Sequence, residues 1–336
     1  MQAGGASGGD PCKEPLVPSA LDILTGNLLV PTILFFVLGL IAALARSDLS
    51  IPAGAAKFMS IYLLLAIGFK GGVSLAAHGV SADLFLALLA GVALSLAIPF
   101  VAFALLRAMT RLDRLNAAAV AGHYGSISIV TFVTATSLLD VAGIAHDGYM
   151  VAVAAAMEAP AIVSALWLAH RGGGAAARPI RLGRELLANG SIVLLVGAFA
   201  IGALTGGRGM EMIAPFIVTP FTGILCLFLL DMGVTAGRSL TGNRHLLTPG
   251  LLAAGVLIPL AGAALALGLG MLIGLSGGSL FLLTVLAASA SYIAVPAAMR
   301  MALPEAEPGI YLTMSLGVTF PFNLTLGLPL YLWLAI

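Results

Sequence analysis

Residues Ala121–Ser128 read AGHYGSIS, and Ala287–Tyr292 read AASASY. Each stretch lies inside a long apolar run and crowds glycine, alanine and serine where a lipid-crossing helix would carry leucine. Helix-forming sequence resumes behind both, IVTFVTATSLL from Ile129 and IAVPAAMRMAL from Ile293. A helix that breaks inside a membrane exposes backbone amides and carbonyls that lipid cannot satisfy, so the break must face protein, water or a solute. Two breaks at matching places in the two halves of one chain are the sequence pointer to a transporter's binding site. For either stretch alone, close helix packing through small residues is the competing reading.

The composition agrees with a membrane setting. Of 336 residues, 60% are hydrophobic and 9% charged, against about 25% charged in soluble domains. The net charge of +1 gives no basic field for a nucleic acid. Cys12 and Cys226 suggest neither a disulfide framework nor a metal site, and Cys226 reads as a small apolar core residue. Residues 1–23 are rich in Gly, Ser and Pro and read as a disordered extracytoplasmic tail. No cleavable leader is evident, so the first apolar run should stay as a spanning helix. A phosphate-cradling loop, a His/Glu metal spacing and a nucleophile elbow are all missing from the sequence, which argues against an enzyme.

Ten apolar spans fall near 28–45, 53–77, 84–106, 115–139, 148–169, 190–207, 212–236, 246–274, 279–302 and 309–335. Each suits a bilayer core of about 30 Å. Strand-like alternation is absent, so the predicted class is an all-α membrane protein. The connections after odd spans hold Arg46, Lys57, Arg107, Arg111, Arg114, Arg171, Arg178, Arg181, Arg184, Arg238, Arg244 and Arg300, twelve of the fifteen basic residues. The positive-inside rule then puts those connections in the cytoplasm and both termini outside.

The halves repeat. Gly148–Pro160 lies on Gly309–Pro321 at an offset of 161 (148 to 309), as Gly72-Val73-Ser74 lies on Gly233-Val234-Thr235. Gly125–Ser128 lies on Ala288–Ser291 at 163 (125 to 288). Five spans per copy is an odd number, so the second copy must be inserted upside down. The expected organisation is a first repeat at 24–170, a cytoplasmic linker at 171–189 and a second repeat at 190–336, with spans 4 and 9 broken.

Half-helix N-termini carry partial positive charge and free N–H donors, so two of them meeting could hold a small anion without a basic side chain. Ser126, Ser128, Ser289 and Ser291 could donate to its oxygens. His123, just before the first break, could donate or carry a proton, or simply pack. Tyr292 could line the site or pack. Glu158 sits mid-span beside Pro160, where a charge costs ~2.5–3.5 kcal/mol and so faces a polar interior. Its repeat partner is Thr319, with Asn323 nearby. Together these oxygens suggest a sodium cage, since hard cations want oxygen ligands; a structural, hydrogen-bonded Glu158 is the plainer reading. Lys70 and Asp231 occupy matching positions. The inversion keeps them apart, so Lys70 is expected to snorkel outward and Asp231 to meet Arg238 or Arg244.

IGFKGGVSLA from Ile67, GHYGSISIVTFVTATSLL from Gly122, AMEAPAIVSA from Ala156, LLDMGVTA from Leu229 and AASASYIAVPAAMRMALP from Ala287 resemble the sodium-dependent bicarbonate transporters of the cyanobacterial SbtA type. The likeness runs from about residue 24 to 335. It implies a gate domain (spans 1, 2, 6, 7) and a core domain (spans 3–5, 8–10) working as an elevator, a homotrimer, and sodium-coupled symport of bicarbonate across a bacterial inner membrane. It also implies control by a PII-like cytoplasmic regulator, although the linker that would meet it is short here. Carried onto this chain, the substrate site would be Gly125, Ser126, Ser128, Thr131, Ser289, Ser291 and Tyr292, and the sodium site Glu158, Ser128, Thr319 and Asn323. Na+ is the coupling ion and no organic cofactor is implied. Tyr292 stands where relatives carry an acidic residue, and Ile129 and Val130 replace smaller ones, which makes the pocket more apolar. The rival readings are a sodium- or proton-coupled transporter of another small organic anion, and a non-transporting membrane sensor.

Overall fold

The structure is a computed structural model that describes residues 31–79, 81–158, 160–171, 190–243, 247–292 and 294–336. The expected tail at 1–23, the linker beyond Arg171 and Arg244 lie outside the described residues. Every regular element among the described residues is helical: α1 (Pro31–Leu44), α2 (Ala53–His78), α3 (Ala82–Met109), α4 (Arg114–Gly125), α5 (Ile129–Ala142), α6 (Met150–Met157), α7 (Pro160–His170), α8 (Gly190–Ile217), α9 (Phe221–Gly242), α10 (Pro249–Leu272), α11 (Gly277–Ala288), α12 (Ala294–Ala302) and a last run, α13 (Pro308–Ala335).

The boundaries follow local chemistry. Ser81, Asp113 and Thr248 cap α3, α4 and α10 by accepting from the amides of Leu84, Asn116 and Leu251, each satisfying one orphan donor of a first turn. Gly143, left-handed at φ 66°, ends α5. In α13 the helix widens to π geometry at Thr313–Thr319 and Asn323–Gly327, on either side of Pro321. Such widening commonly marks functional segments of a helix.

Among the described residues, seven stretches are long and apolar enough to cross a membrane: Ala53–Ala77, Ala82–Met109, Arg114–Ala142, Met150–His170, Phe221–Gly242, Pro249–Leu272 and Pro308–Ala335. Helices α1 and α11 are shorter apolar pieces. The sequence places the end of one span at 207 and the start of the next at 212. Gly206 is non-helical at φ 57° and ψ −148°, so two helical pieces meet there; the second runs to Ile217, and α9 begins after Pro220. That backbone conformation is open to glycine because it has no Cβ.

Small residues decide how the helices pack. A Cβ on Gly39 would overlap the Leu230 carbonyl, and one on Gly233 the Phe36 carbonyl, so α1 and α9 touch backbone to backbone. Gly72 meets the Phe199 carbonyl and Gly202 the Phe69 carbonyl in the same way, joining α2 to α8. Close approach through glycine is how membrane helices gain dispersion contact where lipid offers no hydrophobic drive. These four helices form one group. The other holds α3, packed on α4, α6, α7 and α10, and α10 packed on α11. Large apolar side chains such as Leu38, Leu89, Val163 and Leu272 stay exposed on the outside, as a lipid-facing surface requires.

Candidate functional site

Helix α4 stops at Gly125 and α5 starts at Ile129; α11 stops at Ala288 and α12 starts at Ala294. Just after each stop the chain is extended. Ser126 has φ −91° and ψ 163°, and Ser289 has φ −89° and ψ 163°. The two breaks cross and clasp each other. The Ser291 amide donates to the His123 carbonyl at 2.7 Å. In the opposite sense, the Ser128 amide donates to Ser289 Oγ at 2.8 Å, and that hydroxyl donates to the Leu286 carbonyl at 2.9 Å. His123 and Leu286 are related by the same 163-residue offset (123 to 286) as the serines. One half closes the clasp directly and the other through a hydroxyl.

This corrects the expectation that both break amides are bare. Those of Ser128 and Ser291 are spent holding the breaks together. The donors left over belong mainly to α5. Ser128 Oγ accepts from the Thr131 amide at 3.2 Å and from its hydroxyl at 2.9 Å, and the Ser128 carbonyl takes the Phe132 amide. The first two amides of α5, Ile129 and Val130, have no acceptor among the described residues. At α12, Ser291 Oγ accepts from Val295 at 3.4 Å, and Pro296 has no N–H to offer.

Beside this N-terminus lies a cavity of about 60 Å³, room for roughly four or five waters or one small polyatomic ion. Ile127 to Val130, Ser291, Tyr292 and Glu158 line it from one helix group, and Leu63, Leu64 and Phe228 from the other. Glu158 ends α6, and Pro160 opens α7. The helix is mended at that point by Ser95 of α3, which donates to the Met157 carbonyl at 2.7 Å and accepts from the Ala161 amide at 3.2 Å. The serine hydroxyl thus stands in for a missing turn bond and fixes the carboxylate's position. Ser126 faces Glu158, yet neither Ser126 Oγ nor Glu158 Oε2 closes a hydrogen bond, and the buried Tyr292 hydroxyl is also unpartnered. Buried polar atoms in native proteins are normally satisfied, so this cluster carries the mark of a ligand site. Hydroxyl and carboxylate oxygens suit a hard cation, and amide and phenol donors suit an anion.

A family model for the Na+-dependent bicarbonate transporter superfamily matches residues 31–336. The chain belongs to that superfamily. No curated protein matches it. As a member of a transporter superfamily built from apolar helices, it is a multi-pass membrane protein.

In this transporter the structure gathers only part of the residue set expected from sequence. Ser128, Ser291, Tyr292 and Glu158 line one cavity, with Gly125, Ser126, Thr131 and Ser289 immediately behind them. Gly125 is pressed against Pro99 and Ala161 with no space for a Cβ. Thr319 and Asn323 do not line it and have other partners. Thr319 Oγ1 donates to the Gly255 carbonyl at 2.6 Å and so must accept from the Tyr124 hydroxyl at 2.7 Å. Asn323 donates to the Ala288 carbonyl at 2.8 Å and accepts from the Tyr331 hydroxyl at 3.0 Å. His123 is fully buried, stacked on Tyr311 at 4.5 Å, with Nδ1 on the Ala119 carbonyl at 2.7 Å.

Lys70 does not simply snorkel: it pairs with Asp140 at 3.2 Å beside a second cavity of about 200 Å³ that also borders His146 and Asp147. Asp231 makes no ion pair among the described residues, and Arg238 donates instead to the Leu49 carbonyl at 2.9 Å. Sequence reasoning missed Ser95 and Asp140. A buried serine in the otherwise apolar α3 was a usable signal for the first; the end of α5 gave none for the second.

Proposed function

We propose that the protein is a secondary transporter that takes up bicarbonate with Na+, holding the anion in the cavity at the crossing of its two broken helices. The observation that carries this reading is the set of buried, unpartnered polar atoms at Ser126, Glu158 and Tyr292 beside the free amides of α5. An anion at the amides would repel an ionised Glu158. At 4 Å and an effective dielectric near 20 the repulsion is about 4 kcal/mol. A sodium ion between Glu158 and Ser126 cancels it, so neither ion settles well without the other. That is the physical basis of coupling. Thr319 and Asn323 act as structural fasteners in this account.

The same reading takes the chain as ten spans in a five-plus-five inverted repeat. The near-identical backbone of Ser126 and Ser289 supports it, as do the paired glycine crossings: Gly39 with Gly233 and Gly72 with Gly202 exchange roles under the offset. Helices α1, α2, α8 and α9 form the gate domain and the rest the core, with the cavity between them. The core moves as an elevator in a bacterial inner membrane, both termini outside, in a homotrimer. A PII-like partner would meet the linker at 171–189.

Reconstitution tests the coupling. Labelled bicarbonate should enter proteoliposomes down an imposed sodium gradient and stop when Na+ is replaced by K+. Uptake indifferent to that replacement would end the sodium-coupled reading. The largely apolar wall of Leu63, Leu64, Val130 and Phe228 favours a second reading, a small organic anion. Strong competition by short carboxylates would support it.

A further inference from the structure

The inner cavity has two chemically distinct ends. Its unpaired donors cluster at the start of α5, as the Ile129 and Val130 amides, with the Tyr292 hydroxyl beside them. Its unpaired acceptor is the Glu158 carboxylate, whose Oε2 has no partner, with the unpartnered Ser126 hydroxyl behind it. A solute that satisfies both ends must carry anionic oxygens and, on the same small frame, an O–H. We propose that Glu158 selects the solute by accepting a hydrogen bond from its hydroxyl, so that the site takes a hydroxyl-bearing oxyanion and rejects planar anions that lack the O–H. This inference rests on the anion site proposed above and deepens it.

The chemistry is specific. Bicarbonate and nitrate share a planar frame of three oxygens around one centre and a single negative charge. Only bicarbonate has a proton to give. With nitrate bound, the Glu158 carboxylate would face a lone pair, unpaired and next to a like charge. A buried site built to bond a hydroxyl rejects the analogue without it far more strongly than an apolar pocket rejects a missing methylene, because its own polar groups are left stranded. Size cannot do this work, since the two ions are nearly the same shape. Nor can fixed positive charge, because no lysine or arginine among the described residues lines the cavity.

The position of Glu158 suits the role. It is 5% exposed, and the Ser95 bridge on either side of it sets where the carboxylate points. The Tyr292 ring is packed edge-on to Phe320 at 5.2 Å, which holds its hydroxyl at the donor end. Sodium and the solute hydroxyl can share the carboxylate, since it offers about four lone-pair sites.

Competition in proteoliposomes tests the inference. With labelled bicarbonate as the probe and saturating Na+, nitrate and formate should need at least about a hundredfold higher concentration than unlabelled bicarbonate to halve uptake. In Glu158→Met the gap between nitrate and bicarbonate should collapse to within about threefold. Should that variant lose uptake altogether, purified wild-type protein in Na+ decides instead: bicarbonate should raise its melting temperature at concentrations where nitrate does not. Nitrate competing on equal terms in the wild type would overturn the proposal, since Glu158 would then be acting as a donor. So would a Glu158→Met protein that still discriminates. Failure of the wider functional reading looks different: wild-type vesicles would show no sodium-dependent bicarbonate uptake at all.

Discussion

The two breaks share a backbone but not a chemistry. Ser126 and Ser289 adopt the same extended conformation within a few degrees, and each break reaches across to the helix that ends at the other. Around the second break most polar groups are tied up: Asn323 holds the Ala288 carbonyl, Thr319 bridges Tyr124 to Gly255, and Ser289 is bonded on both sides, which leaves the Tyr292 hydroxyl unpartnered. Around the first, Ser126 and Glu158 are left without partners in a buried place. The lesson is that near-symmetry builds the frame and its local failure builds the proposed site. An unsatisfied buried group costs ~1–3 kcal/mol, a cost that a bound ligand would offset.

The sharpest way to break this comparison is to strike both sides of it. Glu158→Gln should weaken sodium-dependent uptake by about a hundredfold, the loss of one charged contact worth ~2.7 kcal/mol, read as the Na+ concentration for half-maximal uptake. Thr319→Val, at the matching position, should leave that concentration unchanged and lower the melting temperature instead. Equal sodium phenotypes would erase the distinction.

The clasp comes next. Ser289→Ala strands the Ser128 amide and should cost ~1–3 kcal/mol of stability, together with a loss of uptake. Ser291→Ala removes only a long cap on Val295 and should cost ~0.5–1 kcal/mol. Thermal unfolding in detergent ranks the two.

Smaller effects are expected at the second cavity. The Lys70–Asp140 pair is 34% and 49% exposed, so Asp140→Asn should change stability by less than ~1 kcal/mol. Burial holds the neighbouring His146 below its ordinary 6.5, opposed by the Asp140 charge. The folded protein therefore binds that proton less readily than the unfolded chain. Its contribution to stability is intact above pH 6.5 and falls as the pH drops below it. The melting temperature should drop on mild acidification in the wild type and by less in His146→Gln.

Much of the frame was legible in residue order. Small-residue clusters inside apolar runs announced both interruptions, because a membrane helix rarely wastes packing positions on serine. Glu158 stood out for the cost of placing a charge in lipid. The glycine run TGGRG marked the interruption at Gly206, but nothing in it showed that a further helical piece runs on to Ile217 before α9 begins. Thr319 and Asn323 looked like ion ligands because their oxygens suit sodium, and sequence does not reveal that hydrogen bonds to Gly255, Ala288, Tyr124 and Tyr331 already occupy them. The clasp was invisible for the same reason: it joins residues 161 and 168 positions apart (128 to 289, 123 to 291).

A high-resolution structure in nanodiscs with sodium bicarbonate tests the central claim most directly. The account expects an anion-sized density against the Ile129 and Val130 amides and the Tyr292 hydroxyl, with a second, single-atom density between Ser126 and Glu158. Bound solute elsewhere, with those groups still bare, would contradict it.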